Sequence, residues 1–146
     1  MAETLAVLTG DPLEPERFRA FVAEDGRGAH ALFVGVVRSP HEGREVEAVE
    51  YEAFEPLAGA ELGRIVEEAA SRWGARVAAG HRLGRLAVGE ASLVVAAAAP
   101  HRGEAFESCR WVVEEVKRRV PIFKREIYAD GRAAWLEGRA LGSRSP

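Results

Sequence analysis

The hydrophobic period of this chain switches several times, and that switching limits its fold more than any other feature. Residues 29–37 (AHALFVGVV) and 91–99 (ASLVVAAAA) are nearly continuous in apolar and small side chains, the pattern of strands buried on both faces. Two other stretches space their apolar residues as helices do. Leu62, Ile65, Val66, Ala69 and Trp73 form one stripe, closed by Gly74. Phe106, Cys109, Val113, Val116 and Val120 form another, on a helix running from about Gly103 to Arg119. Pro121 disfavours helix at the residue before it and ends that segment.

Shorter signals fill the gaps. Residues 4–8, 76–83 and 121–128 read as strands, and Pro15 to Glu24 as a first helix. In 46–54, Val49, Tyr51 and Ala53 alternate with Glu50 and Glu52, as in a half-exposed strand. The stretch GRLAVGE joins two strands with glycine at both turns, and SPHEGRE (39–45) reads as an exposed, mobile loop. Asp130-Gly131 signals a hairpin into a last strand at 133–136, and 138–146 reads as a loose tail. Together these predict one domain over 1–146, of α/β (α+β) class with a mixed or largely antiparallel sheet.

Composition narrows the functional classes. With 146 residues, 47% hydrophobic, and a net charge of −3, the chain suits one core and not a disordered polymer. No apolar run approaches the ~18 residues needed to span a bilayer, and MAETLAVLTGDPLEPERF lacks a basic leader region. A soluble, cytoplasmic protein is expected. The single cysteine, Cys109, excludes a disulfide framework and a cysteine-based zinc site, and its place on the helical stripe makes it core. His30, His41, His81 and His101 lack ligand spacing, so no metal site is expected. Net acidity argues against general nucleic-acid binding despite KRRVPIFKR at 117–125.

The cations carry the chemical signal. Eighteen are Arg and only two are Lys, Lys117 and Lys124. Arg stays protonated, whereas a crowded Lys can lose its proton, so the two lysines mark either a deprotonable amine or chance. Arg38 closes an apolar strand, and His101 and Arg102 precede a helix whose free N–H groups favour an anion. Lys117 lies in that helix's last turn and Lys124 on the next strand. If these ends converge, the pocket suits a phosphorylated or carboxylated ligand. Taken singly, each of the five also has an ordinary structural explanation, such as a surface charge or a helix-end cation.

FVGVVR (33–38), YEAFEPLA (51–58), HRLGRLAVGE (81–90), HRGEAF (101–106) and KRRVPIFKRE (117–126) resemble the large, catalytic subunit of molybdopterin synthase, the MoaE family. The motifs keep that family's order and cover roughly 28–137; the first 27 residues and the tail after Glu137 carry no functional signal. The resemblance implies an α/β hammerhead-type fold with an additional antiparallel β subdomain. It also implies a sulfurtransferase with no metal or organic cofactor. Sulfur would come from the thiocarboxylated Gly-Gly C-terminus of a small ubiquitin-like subunit and pass to cyclic pyranopterin monophosphate. The chain itself ends without Gly-Gly, so a separate donor is expected. Two large subunits would form a homodimer at the centre of a heterotetramer.

By position, the resemblance implies that Lys117 is the principal catalytic residue and Lys124 assists, with Arg125 and Glu126 lining the same pocket. Arg38, the backbone of Val36 and Val37, and the pair His101-Arg102 would hold the phosphate and pterin. Phe123 stands where the family often has Trp, and Leu57 where Met is common. The competing reading is a non-catalytic dimer that binds a phosphorylated pterin or a ubiquitin-like tail. Two retained lysines favour the enzyme, since anion binding alone would tolerate Arg.

Overall fold

The computed structural model describes residues 4–135. Along the chain run β1 (Thr4–Thr9), α1 (Pro15–Val22), β2 (Ala29–Val36), β3 (Val46–Ala53), α2 (Glu55–Trp73) and β4 (Arg76–Arg82). Then follow β5 (Gly84–Ala87), β6 (Ala91–Ala99), α3 (Arg102–Arg119), β7 (Ile122–Tyr128) and β8 (Ala133–Trp135). Helix α2 ends at Gly74, whose φ of 61° is the left-handed cap that glycine tolerates best. Helix α3 ends two residues before Pro121, as its ring demands. The anticipated tail, 138–146, and the last residue of the anticipated 133–136 strand lie outside the described residues.

Two four-stranded sheets result. The first has the order β1-β4-β6-β2, with β1 parallel to β4 and the other pairs antiparallel. The second, β5-β3-β7-β8, is antiparallel throughout. A mixed, helix-covered sheet beside a separate antiparallel one is the α/β arrangement anticipated above.

Both faces of the first sheet are covered at its central strands, β4 and β6. Ala78, Val94, Ala96 and Ala98 pack against Leu13, Phe18 and Val22 around α1, and the alternate positions Val77, Ala79, Val95 and Ala97 join the core under α2 and α3. The Phe18 ring lies directly on β4: a Cβ added at Gly80 would stand 2.5 Å from its Cζ. The first 27 residues, silent about function, therefore supply a strand and a helix to the main core.

Three expectations are corrected. Strand β2 is not buried on both faces. It is the edge of its sheet, and Leu32, Val34 and Val36 are 45%, 36% and 51% exposed. Phe106 is exposed because the buried stripe of α3 runs through Ala105, Ser108, Cys109, Val112, Val113 and Val116, one residue out of step with it. GRLAVGE is more than a turn: its first four residues form β5 on the second sheet, with Leu86 fully buried. A single residue, Leu83, carries the chain from one sheet to the other.

Candidate active site

A cavity of about 240 Å³ lies where the two sheets meet, beside the C-terminal end of α3. Strand β2 shifts register between Gly35 and Val36, and the chain then delivers Val37 and Arg38 to the cavity wall. Strands β3 and β7 pair so that Tyr51 sits opposite Lys124 and Val49 opposite Glu126, and all four line the cavity. The last turn of α3 contributes Lys117. Arg38 and Lys117 are exposed, Lys124 is half-buried, and Tyr51, Ser92 and Glu126 are buried. Charge is thus graded from an open cationic side to a dry interior.

The electrostatics follow from that gradient. Burial pushes the Lys124 amine below its ordinary range; Glu126 opposes this, while the positive charges of Lys117 and Arg38 add to it. Burial raises Tyr51, against a hydrogen bond with Ser92. Behind Tyr51 stands His81, fully buried, with ring centroids 5.0 Å apart in an edge-on contact. Its Nδ1 lies 2.8 Å from the Arg82 carbonyl and must carry the hydrogen, which leaves Nε2 as a buried acceptor without a partner in the structure. Burial pushes this imidazole down to about 4.

The structure sorts the anticipated residues. Val36, Val37, Arg38, Lys117, Lys124 and Glu126 come together. The Val37 N–H, however, already donates to the Glu90 carbonyl at 3.0 Å, so that amide is occupied and cannot cradle an anion. Arg125 does not reach the cavity. It projects from the opposite face of β7, where it forms an ion pair with Glu50, as strand alternation requires. His101 and Arg102 are elsewhere too. They line a shallow opening with Gly28, Ala29 and Pro100 at the far end of β2. The sixteen residue steps along α3 from its N-cap His101 to Lys117 span about 24 Å at 1.5 Å each.

His41, Tyr51 and Ser92 line the cavity and were not anticipated. The 39–45 segment that carries His41 contains a hydrogen-bonded turn. His41 and Arg44 exchange backbone hydrogen bonds of 2.8 and 3.0 Å around Glu42 and Gly43, both at positive φ. The dipeptide Glu42-Gly43 is the signal that could have shown it. Cys109 is core as expected: it donates to the Val95 carbonyl at 3.7 Å, and burial pushes its thiol up to about 11. Among the described residues, no three His, Cys, Asp or Glu side chains cluster as a metal ion would need. None of the described helices is long and apolar enough to cross a membrane.

Comparison with known proteins bears on this arrangement. The family model described as MoaE protein matches residues 8–119. The molybdopterin synthase catalytic subunit of Culex quinquefasciatus is 41% identical over 143 residues, covering 95% of this chain and 91% of its own. The crystal structure of molybdopterin synthase from Staphylococcus aureus superposes with a TM-score of 0.83 at 33% identity, covering 92% of this chain and 97% of that one. A complex of subunits 1 and 2 of molybdopterin-converting factor from Helicobacter pylori shares the fold, with a TM-score of 0.69 at 18% identity over 95% and 93% of the chains.

Proposed function

This chain belongs to the MoaE family and is a sulfurtransferase of molybdopterin synthesis, and we propose that the cavity holding Lys117 and Lys124 is where sulfur changes hands. The donor is the thiocarboxylated C-terminus of a small ubiquitin-like subunit, and the acceptor is cyclic pyranopterin monophosphate. One observation carries the reading: both lysines of an Arg-rich chain meet Arg38 in one cavity, although the three come from a strand, a helix end and a strand exit. The Helicobacter pylori neighbour, itself a complex of two subunits, supports a small-subunit partner.

In this mechanism Lys117 acts at the reacting atoms. Its neutral amine takes up or returns protons as sulfur adds and the carboxylate leaves, and its ammonium form stabilises the developing negative charge. Lys124 assists. Burial and its cationic neighbours lower its proton affinity, which favours the neutral amine that a proton acceptor needs. The planar fork of Arg38 grips the phosphate, with Val36 and Val37 as wall and Glu126 favouring the charged form of Lys124. The site is cytoplasmic and needs no cofactor for this step.

His101 and Arg102 serve this site from a second copy of the chain. A single copy holds them about 24 Å from Lys117, whereas a homodimer at the centre of a heterotetramer can bring them across its axis. The test mixes the chain with thiocarboxylated small subunit and cyclic pyranopterin monophosphate and assays molybdopterin. Lys117→Ala and the double variant His101→Ala/Arg102→Ala should each be inactive. Mixed and re-equilibrated, they should regain about a quarter of wild-type activity, because half the dimers then hold one complete site of two. No regained activity would remove the pair from the site. No product from the wild-type chain, despite a stable complex with the small subunit, would favour the non-catalytic binding dimer.

A further inference from the structure

Among the described residues, Glu126 is the one carboxylate lining the cavity, and it is only 3% exposed. Its surroundings are crowded. The Tyr128 hydroxyl donates to Oε1 at 3.3 Å, and His41 Nε2 stands 3.6 Å from the same oxygen. Lys124 lies two residues along β7, so both side chains point to the same face. His41 is held there by its turn. Arg44 stacks its guanidinium 3.5 Å from the Tyr128 ring centroid and reaches Asp130 Oδ2 at 3.6 Å, and the Ala129 N–H donates to the Glu45 carbonyl at 2.9 Å. These contacts fasten the C-terminal end of the 41–44 turn to the β7–β8 hairpin.

A buried carboxylate shared by an imidazole and an amine cannot fully neutralise both. We propose that His41 is a proton-dependent positioning residue: protonated, it takes the charge of Glu126, and neutral, it leaves that charge to Lys124. The assignment rests on the proposed role of Lys124 in sulfur transfer. The other charged or titratable groups around His41 are Glu42, 3.8 Å away on its own turn, Arg44 beside it, Tyr128 on the same Glu126 oxygen, and Arg38, Tyr51 and Lys117 around the cavity. Glu42 is on the exposed surface and is screened by water. Glu126, under the turn, is the partner that burial strengthens. Protonation of His41 therefore weakens the electrostatic support that Glu126 gives the charged form of Lys124, and Lys117 and Arg38 then favour its neutral form.

The two lysines make a direct test possible. Carbon-13 labelling of lysine gives two side-chain signals, distinguished by Lys124→Arg. In the wild-type free protein, the Lys124 signal should show an inflection at the pH where the His41 imidazole titrates, read by its nitrogen-15 shifts. The inflection should vanish in His41→Gln. His41→Arg, a permanent cation, should move the Lys124 deprotonation midpoint at least half a pH unit below that of His41→Gln, about a threefold change in proton affinity. A Lys124 signal blind to His41 in the wild-type protein, or equal midpoints in the two variants, would overturn the proposal. If the coupling is present and the wild-type chain still makes no molybdopterin, the sulfur-transfer reading fails and the coupling stands. With turnover, the acid limb of the kcat profile should change shape in His41→Gln, and an unchanged limb would refute the link to the reaction.

Discussion

Replacing His81 with leucine should flatten the acid dependence of stability, and the size of the effect follows from burial. The imidazole is fully buried, uses Nδ1 on the Arg82 carbonyl and holds Nε2 without a partner. Burial pushes it down to about 4, and the nearby charge of Lys117 pushes in the same direction. In the unfolded chain the same group titrates near 6.5. Between those values the unfolded state binds the extra proton, so stability is full above about pH 7 and falls as pH drops toward 4. At about 1.4 kcal/mol per pH unit, the loss assignable to His81 is about 3 kcal/mol. His81→Leu removes that term and leaves the Arg82 carbonyl without its donor, which costs about 1–3 kcal/mol at neutral pH. The variant is thus less stable at pH 7.5 and close to the wild-type protein near pH 5. Carboxylates bound to Arg119, such as Glu61 and Glu68, also weaken in acid, but they are common to both proteins and cancel in the difference. Urea unfolding at fixed protein concentration, at steps from pH 7.5 to 4.5, measures that difference. Parallel curves would refute the buried, neutral histidine.

Gly80→Ala places a methyl 2.5 Å from Phe18 Cζ and 3.3 Å from Leu13 Cδ2, inside a packed layer with no room to yield. It should destabilise the fold by about 1–3 kcal/mol, and Phe18→Leu in the same chain should recover part of the loss in the same urea titration. Arg38→Ala removes the proposed charge-assisted grip on phosphate. It should raise KM for the pterin roughly tenfold to hundredfold while changing kcat far less; an unchanged KM would contradict the phosphate-holding role.

Helix ends were legible because Gly74 and Pro121 act on the backbone directly, whatever the rest of the fold does. Strand β5 was not, since four residues between two loops become a strand only by pairing with β3, far away in sequence. The exposure of β2 was hidden for a related reason. A continuous apolar run looks the same in a central strand and at a sheet edge whose outer face is apolar. In the site, Lys117, Lys124 and Arg38 stood out by the scarcity of lysine and by family motifs. His41 and Tyr51 did not, because their arrival depends on the Glu42-Gly43 turn and on the β3–β7 register. Which copy of the chain supplies His101-Arg102 was not legible from motifs, whereas the helix length sets them about 24 Å from Lys117 in one copy.

In the proposed reaction, sulfur transfer depends on a deprotonable amine at position 117. This dependence is tested most directly by measuring molybdopterin formation by wild-type, Lys117→Ala and Lys117→Arg chains, each with thiocarboxylated small subunit and each shown to bind it. Both variants should fold and bind while losing at least about a hundredfold in turnover, the arginine no better than the alanine, because a permanent cation cannot exchange the proton. Near-wild-type turnover by Lys117→Arg would show that charge alone suffices, and near-wild-type turnover by Lys117→Ala would remove Lys117 from the reaction.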